Sequence, residues 1–539
     1  MQIPKGKHAS VNVKDFSMIP GRDVPRSTFL MEHTLKTTFD AGKLIPIYVR
    51  EVMPGDDFSL NLTAFARLAT FTVVPMDNLH FETFFFYVPY RILQTNFVKM
   101  MGEQDNPGDS ISFTIPQIVS KASGYDIGSI YDYMGLPTLG QMQAAATYSH
   151  SALPLRAYAK TWDDWFRDEN FQNSILPSKG DGPDLYTAYD LLPRGKRKDY
   201  ITAALPAPQK GATAVTLPLG TTAPVVSTGT GIPTFSYSGS AGAPLVTKNA
   251  TDNAFVGTVA TGAGSLNWAT TSLRTDLTNA TAASIDALNL AAQIQVYLQR
   301  DARGGTRFVE MIWSHFKVRN PDFRLQRAEY LGGGHSTITT EPIPQTSATG
   351  LTGGTSPIGT LSATGAIRAS GHGFRQAFTE WGVILGLCNV RADLTYQQGV
   401  QRFWNNLTRY DFYVPAFAQL GEQAVYNREI YARGDANDAL VFGYQERWAH
   451  ERFQPSMITG LFRSTAASTI DVWHYAEKFA SLPALNSTFI VDPTKATLSR
   501  SVAVGSGADG KQILLDCLFK VRATRPLPMF SVPQLGGRF

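Results

Sequence analysis

The stretch Leu79–Leu93 reads Leu-His-Phe-Glu-Thr-Phe-Phe-Phe-Tyr-Val-Pro-Tyr-Arg-Ile-Leu. From Phe84 to Val88 every residue is large and apolar or aromatic. A strand with one wet face would leave every second one of these in water, so the run predicts a strand covered on both faces. Pro89 has no N–H for a ladder and ends it. Upstream, Phe58, Leu60 and Leu62 alternate with Ser59, Asn61 and Thr63, the period of a strand with one wet face. Leu44 to Val52 is rich in β-branched residues, and Pro54-Gly55-Asp56 and Pro75-Met76-Asp77-Asn78 are turn signals between these pieces. The pattern returns towards the other end. Trp381 to Val390 reads as a continuous apolar strand, and Val441–Trp448 and Asp471–Tyr475 are further candidates. Ile513, Leu515, Cys517, Phe519 and Val521 alternate with a set in which only Leu514 and Leu518 are apolar. The expected fold is mainly β, a barrel or sandwich whose first and last strands meet and from which the rest of the chain hangs.

What lies between the strands is of several kinds. Residues 1–43 hold few large apolar side chains and are mildly basic, which predicts a solvated arm or one that crosses to a neighbour or touches phosphates. Ile92–Met101 predicts a short helix. From Leu155, the residues Leu155, Tyr158, Ala159, Trp162, Trp165 and Phe166 share one helical face, with Asp163, Asp164, Arg167 and Asp168 mostly opposite. This face is read as packing against the β core, with a ligand platform as the alternative. The basic run Arg194–Tyr200 is read as a solvated loop, with phosphate contact as the weaker alternative. Residues 203–283 are dominated by Ala, Thr, Gly, Ser, Val and Pro and are almost free of charge. That is too long for an ordinary loop and too weakly charged for a disordered linker. A surface insertion with its own small β structure follows, with β-prone pieces at Ala214–Leu217 and Phe255–Thr258, and such an insertion is where recognition concentrates. A helix is expected at 284–302 with Ser284 as N-cap, and a second at 306–318 carrying His315 on an apolar face. Residues 331–372 are again rich in Gly, Ser and Thr and read as loops, with Gly371-His-Gly-Phe374 as a turn. The tail from Arg525 holds too many prolines to pair and is expected to lie extended. The organisation is then an N-terminal arm 1–43, strands with a helical insertion 44–202, the surface insertion 203–283, helices and loops 284–372, and the remaining strands and tail 373–539.

Charged residues make up 17% of the chain, below the usual quarter or so, while aromatics reach 11%. Neutral surface and many aromatics fit a subunit of a large assembly. A net charge of +4 excludes a polycation, so any contact with nucleic acid rests on a local patch. The two cysteines, Cys388 and Cys517, sit in apolar runs and read as buried thiols in a reducing compartment. There is no export signal at the N-terminus and no apolar run of membrane-spanning length, so no membrane insertion is expected. Metal-ligand spacings, a nucleophile elbow and a phosphate-binding loop are all missing. Asp163 and Asp164 point about 100° apart on a helix, a poor acid/base pair. No cofactor and no enzymatic activity are expected; the chain acts by assembling.

Several blocks resemble the major capsid protein of the Microviridae, and most of all its gokushovirus branch. They are Leu155-Arg-Ala-Tyr-Ala-Lys-x-Trp-x-x-Trp-Phe-Arg-Asp-Glu-Asn170, Ala204–Gly211, Arg327–Gly334, Val390–Gly399, Leu420–Val425, Phe442–Trp448, Trp473-His474 and Ser481–Phe489. The resemblance runs over nearly the whole chain. It implies an eight-stranded antiparallel viral jelly roll, a β-sandwich with large loop and helix insertions. It also implies a small T=1 icosahedral shell, built through pentamers, around a circular single-stranded DNA genome. The implied partners are further copies of the chain, a scaffolding protein, a small basic DNA-packaging protein, a DNA pilot protein, the single-stranded DNA and a host surface receptor, a glycan among the options. The implied locations are the virion and, during assembly, the host bacterial cytoplasm. In the gokushoviruses an insertion forms a protrusion at the threefold axes that meets the host, and residues 203–283 sit in the matching place. Their sequence is where the resemblance is least.

Residues are assigned on that basis. An inner surface should offer Lys and Arg with aromatics, so that phosphates are neutralised and bases stack without sequence readout. The candidates are Lys5, Lys7, Lys14, Arg22 and Arg26 in the arm and Arg522, Arg525 and Arg538 near the C-terminus. Host recognition is assigned to the insertion, at Gly229, Phe235, Tyr237, Asn253 and Phe255. Tyr158, Trp162, Trp165 and Phe166 form the packing helix. The alternative function is a carbohydrate-binding β-sandwich that uses Trp162 and Trp165, or the insertion, as a sugar platform. A β-sandwich glycoside hydrolase would further need two separated carboxylates.

Overall fold

The computed structural model describes residues 25–175, 178–211, 326–346, 359–503 and 510–530, short strands between 225 and 275, the helix Ile285–Gly304 and position 314. The chain forms two compact units, one made of Met1–Pro208 with Gly305–Phe539 and the other of Gln209–Gly304.

The larger unit is built on nine strands: β1 (Ser27–Phe39), β2 (Ile45–Val52), β3 (Asp57–Leu68), β4 (Leu79–Pro89), β5 (Glu329–Thr337), β6 (Thr339–Pro344), β7 (Leu361–Ala377), β8 (Gly382–Ala392) and β9 (Ile513–Arg525). Eight of them follow one path, β1-β9-β3-β7-β5-β4-β8-β2, every neighbour antiparallel, and β6 hangs from β7 as a hairpin. The path folds into two four-stranded sheets, β1-β9-β3-β7 and β2-β8-β4-β5. They join at the single pair Gly333↔Gly373. This nearly closed sandwich is the jelly roll. The N-terminal and C-terminal strands meet, though not only through the strands expected: β1, in the stretch read as an arm, pairs with β9 over its whole 13-residue length, from Ser27↔Arg525 to Phe39↔Ile513, and the expected strand β3 pairs with the other edge of β9.

The two strand periods have separate causes. In β3 the residues Phe58, Leu60, Leu62, Ala64, Ala66 and Leu68 are buried between the sheets, and Asn61, Thr63, Phe65 and Arg67 face water. β9 repeats the pattern, with Ile513, Leu515, Cys517, Phe519, Val521 and Ala523 inside. The first sheet therefore has one wet face. β4 and β8, in the second sheet, have none. Phe81, Phe85 and Tyr87 point into the sandwich core. Phe84, Phe86 and Val88 point the other way, under a helix, α1 (Leu153–Trp165), and its surroundings. That second layer is why the Phe84–Val88 run is apolar throughout.

α1 starts with Pro154 in its first turn, where the missing N–H has no helical partner to lose. Leu155, Tyr158, Ala159 and Trp162 are buried against Leu44, Phe86, Leu385 and Leu387 of the second sheet. Each full burial of such a side chain stabilises by about 1.5–3 kcal/mol. The polar tips are matched too. Tyr158 Oη donates to Leu44 O at 2.8 Å and accepts from Leu192 N at 2.9 Å, and Trp162 Nε1 donates to Pro193 O at 3.0 Å.

Several expectations are corrected. The part of the predicted arm from Ser27 to Phe39 is a sheet strand; its wet-face polar residues hid a partner almost the full chain length away. The Gly/Ser/Thr-rich stretch 331–372, read as loops, contributes to β5, β6 and β7. Glycine is required there by close approach of backbones: a Cβ on Gly333 would lie 2.1 Å from Thr83 O, and one on Gly373 would lie 2.0 Å from Leu60 O. Gly371–Phe374 is not a turn. It lies inside β7, beside the bulge between Ala369 and His372. Asp471–Trp473 is a 3-10 turn rather than a strand, with Trp473 O accepting from Met76 N at 2.6 Å. Ile92–Met101 is not one helix but ends a 3-10 turn (Tyr90–Ile92) and holds a short helix (Phe97–Met100).

In the smaller unit, Phe255–Val256, Ala243–Val246, Thr234–Tyr237 and Leu266–Trp268 pair in that order, and Leu273–Thr275 pairs with Val225–Ser227. A helix α2 follows at Ile285–Gly304. The expected piece Ala214–Leu217, the cap Ser284 and the helix 306–318 apart from position 314, with His315, lie outside the described residues.

Candidate functional site

The turn that joins β2 to β3 is where the two ends of the described sandwich are fastened. Arg525, the last residue of β9, reaches Asp56 with Nη2 at 2.8 Å from Oδ2 and Nε at 3.1 Å from Oδ1. The Asp56 side chain is fully buried, and it also accepts from Met53 N at 2.8 Å. Arg525 further donates to Glu51 O at 3.1 Å and lies over the Phe58 ring. From the other terminus, the exposed Arg26 donates to Gly55 O. Two of the eight basic residues assigned to nucleic acid thus hold the Pro54-Gly55-Asp56 turn. A guanidinium already engaged through Nε and Nη2 by a buried carboxylate has little left to offer a phosphate.

Arg522 is placed differently. It stands exposed on the wet face of the first sheet, opposite Leu30 on β1 and Ser59 on β3. Arg375 of β7 continues the same row across Ser59. Lys520 is two residues along β9 on the same face, and Lys36, Arg67 and Arg368 are exposed on the neighbouring strands. The acidic residues on this face are Glu32, Asp57 and Asp516, of which Asp516 pairs with Lys36 at 3.3 Å and Asp57 lies 3.8 Å from Arg375. The face carries a basic excess. Lys5, Lys7, Lys14, Arg22 and Arg538 lie outside the described residues.

The basic run Arg194–Tyr200 is not a solvated loop. Lys196 is buried, 2.6 Å from Glu477 Oε2 and 4.0 Å from the centre of the Phe489 ring. Arg194 packs on Phe84 and Phe166 and lies 3.7 Å from Glu82, which also binds Arg391. Arg197 pairs with Asp393 and Lys198 with Asp168. Burial pushes the Lys196 ammonium down, and the facing Glu477 carboxylate pulls it back up. These are structural ties between strand, loop and the 470–495 segment. A cavity of only about 10 Å³ lies beside them, room for a water.

Among the described residues, no other constellation supplies chemistry. His372 is buried, with Nδ1 2.9 Å from Thr83 Oγ1 and Nε2 3.0 Å from Ser336 Oγ, and burial holds its pKa below the ordinary value. Asp163 pairs with Arg167 at 3.4 Å, and Asp164 accepts from Ala328 N at 2.9 Å and binds Lys160. The carboxylates are occupied separately. Among the described residues, no group of three or more His, Cys, Asp or Glu side chains could hold a metal, and no helix is long and apolar enough to cross a membrane. Cys388 and Cys517 are free thiols inside the sandwich core.

The aromatic helix face offers no sugar platform. Trp162 is buried, and Trp165 donates to Ala328 O at 2.8 Å with Arg327 stacked on its ring. Phe166 meets Phe84 and Phe86 edge-on. The sugar-binding alternative loses these residues to packing. Of the recognition residues, Phe235, Tyr237 and Phe255 lie on the strands of the smaller unit, while Gly229 and Asn253 lie outside the described residues.

One surface was not singled out by the sequence reading. Between β8 and the hairpin Glu422–Tyr426/Val441–Glu446 the chain exposes Phe403, Trp404, Leu407, Tyr410, Phe412 and Tyr413. It has neither a period of 2 nor one of 3.6. The available signal was the density of aromatics in a segment without either period.

The buried charges of the sandwich are tied up in structural pairs, and the surface around Trp404 is apolar and aromatic. A family model described as Capsid protein (F protein) matches residues 17–535. The chain belongs to this phage capsid protein family. Capsid protein VP1 of Bdellovibrio phage phiMH2K is 42% identical over 538 residues, which cover 98% of this chain and 99% of that protein. Capsid protein VP1 of Chlamydia phage 1 is 37% identical and that of Spiroplasma virus 4 is 35% identical, each again over 98% of this chain and 99% of its own length. The Microviridae and gokushovirus resemblance is thereby borne out. A capsid protein is structural rather than enzymatic; it assembles with copies of itself, and its place is the virion.

Proposed function

We propose that this capsid protein closes a small T=1 icosahedral shell, by way of pentamers, around a circular single-stranded DNA genome. The observation that carries the reading is the end-to-end similarity to capsid proteins of three phages, on a jelly roll whose first and last strands close the fold. Many modest contacts, repeated by symmetry, close such a shell cooperatively. The DNA is met without sequence readout. Arg522 and its basic neighbours on the wet face of the first sheet serve as the described part of the contact, together with the terminal residues Lys5, Lys7, Lys14, Arg22 and Arg538. With a net charge of only +4, the chain leaves most neutralisation to a small basic packaging protein. A scaffolding protein and a DNA pilot protein complete the assembly, which takes place in the host bacterial cytoplasm. The insertion at 203–283 forms the surface protrusion for host attachment, with Phe235, Tyr237 and Phe255 on its strands, and its receptor is a host surface group, a glycan among the candidates.

The test is sedimentation velocity on material from cells that express the full viral gene set, read at protein and nucleic-acid wavelengths. A sharp fast particle carrying nuclease-protected DNA is expected. A slow monomer without nucleic acid, with the other viral proteins present, would sink the reading.

A further inference from the structure

The lobe Gly399–Arg463 combines a rigid backbone with an apolar surface. Its loops are held by polar bonds. Asp411 Oδ2 accepts from Leu407 N at 3.1 Å and from Thr408 N at 2.8 Å, closing a capping box around a 3-10 turn. The half-buried Arg402 pairs with Glu429 at 2.9 Å and donates to Ala424 O at 2.7 Å. Trp448 Nε1 donates to Phe417 O at 3.0 Å, and Tyr413 meets the Trp448 ring edge-on. The apolar side chains mounted on this frame point outward. Leu407 is 89% exposed, Trp404 72% and Met457 71%, with Phe403, Phe412 and Tyr413 beside them all more than half exposed. A frame this well bonded does not collapse to hide them, so their cover comes from outside the chain.

The charge balance says what kind of cover. Between 399 and 463 there are seven arginines (402, 409, 428, 433, 447, 452, 463), no lysine, and seven carboxylates (411, 422, 429, 435, 438, 446, 451), a net of zero. Arg402, Arg433 and Arg452 are already paired with Glu429, Asp435 and Glu446. A nucleic-acid platform needs a basic excess; this patch has none and is rich in aliphatics as well as aromatics. The exposed side chains offer apolar area on the order of 1,000 Å², the scale of one side of a stable protein interface. The knob and a place to put it lie side by side: Phe403, Trp404 and Met457 rim a hollow of about 750 Å³ that Arg402, His450 and Ile458 also line.

We propose that this lobe is a contact between copies of the capsid protein, in which a second copy of this chain covers the Trp404–Leu407 knob. A twofold-related copy could seat its knob in the first copy's hollow and receive the first copy's knob in return, as a self-complementary patch requires. The inference rests on the shell-forming reading above and gives it a location.

The native thiols, Cys388 and Cys517, are both buried, so a cysteine placed in the lobe is the single exposed thiol. Leu407→Cys and, separately, Met457→Cys are expressed in the full-length chain with the viral gene set, and maleimide labelling is timed in free subunits, in empty particles and in DNA-filled particles. The expected result is labelling about tenfold or more slower in both kinds of particle than in the free subunit, with a short bismaleimide joining two Leu407→Cys copies only in particles. A folded Leu407→Cys chain that stays monomeric while the unaltered chain closes shells is also a supporting result, and Met457→Cys then reports protection. Equal labelling in particle and subunit overturns the inference. Protection in filled but not in empty particles assigns the lobe to DNA and overturns it too. If the unaltered chain forms no particle at all, the shell-forming reading itself fails, a separate outcome.

Discussion

Replacing Arg525 by alanine separates a fold clasp from a nucleic-acid contact. The Asp56 carboxylate beneath it has no exposed side-chain surface, and Arg525 supplies its charged partner, through contacts of 2.8–3.2 Å. Removing one member of a buried pair costs about 3–5 kcal/mol, since the other charge stays desolvated. The Met53 amide remains to hold Asp56, which places Arg525→Ala at the lower end, about 3 kcal/mol. At about 2.1 cal/mol/K of unfolding entropy per residue, a chain of 539 residues then loses roughly 3 °C in its unfolding midpoint. The assay is urea and thermal unfolding of dissociated subunits, repeated for Asp56→Ala and the double variant. The double-mutant cycle should return a coupling of about 2 kcal/mol, and Arg525→Lys should recover part of the loss, having charge without the fork. Particles that still form should carry the unaltered amount of DNA. Subunits of Arg525→Ala that unfold like the unaltered chain, together with particles that lose DNA, would refute the clasp.

Other expectations follow from the same packing. Gly333→Ala sets a Cβ 2.1 Å from Thr83 O at the seam between the sheets and should abolish soluble folded subunits, whereas Gly108→Ala meets nothing within 4 Å and should be tolerated; circular dichroism of the soluble fraction decides. His150 and His372 are held neutral by burial, with pKa values below the ordinary 6.5, so the unfolded chain takes up their protons first. Their contribution is fully present above 6.5 and is lost as the pH falls below it; a thermal midpoint that does not drop between pH 7 and pH 5 more steeply than in a His150→Gln/His372→Gln variant would contradict this. Burial pushes the Cys517 thiol up to about 12 and the Cys388 thiol well above its ordinary value, so neither should react with a disulfide reagent at pH 8 until the subunit is unfolded by urea.

The local burial pattern of this chain was written into its residues, and the long-range partners were not. The two-sided strand at Phe84–Val88 and the one-sided strands at 57–68 and 513–525 were legible because a strand's period of two reports directly how many of its faces are dry. The packing face of α1 was legible for the same reason at a period of 3.6. The meeting of the strands at 57–68 and 513–525 followed from strand signals at both ends, while the pairing of Ser27–Phe39 with the last strand did not show in the arm-like sequence. Three things needed the tertiary structure. Gly333 and Gly373 read locally as loop; only the approach of the Thr83 and Leu60 backbones makes the absent Cβ a requirement of the sheet seam. Lys196 reads as part of a solvated loop and Arg525 as a nucleic-acid contact, and what ties them down is Glu477, 281 residues from Lys196, and Asp56, 469 residues from Arg525. The aromatic segment around Leu407 carries no period that tells which way its side chains face, and only the fold leaves them facing outward. Sequence periodicity reports whether a face is dry; which charges meet, which glycines touch and which apolar surface is left over depend on contacts between residues hundreds of positions apart, and those exist only once the sandwich has closed.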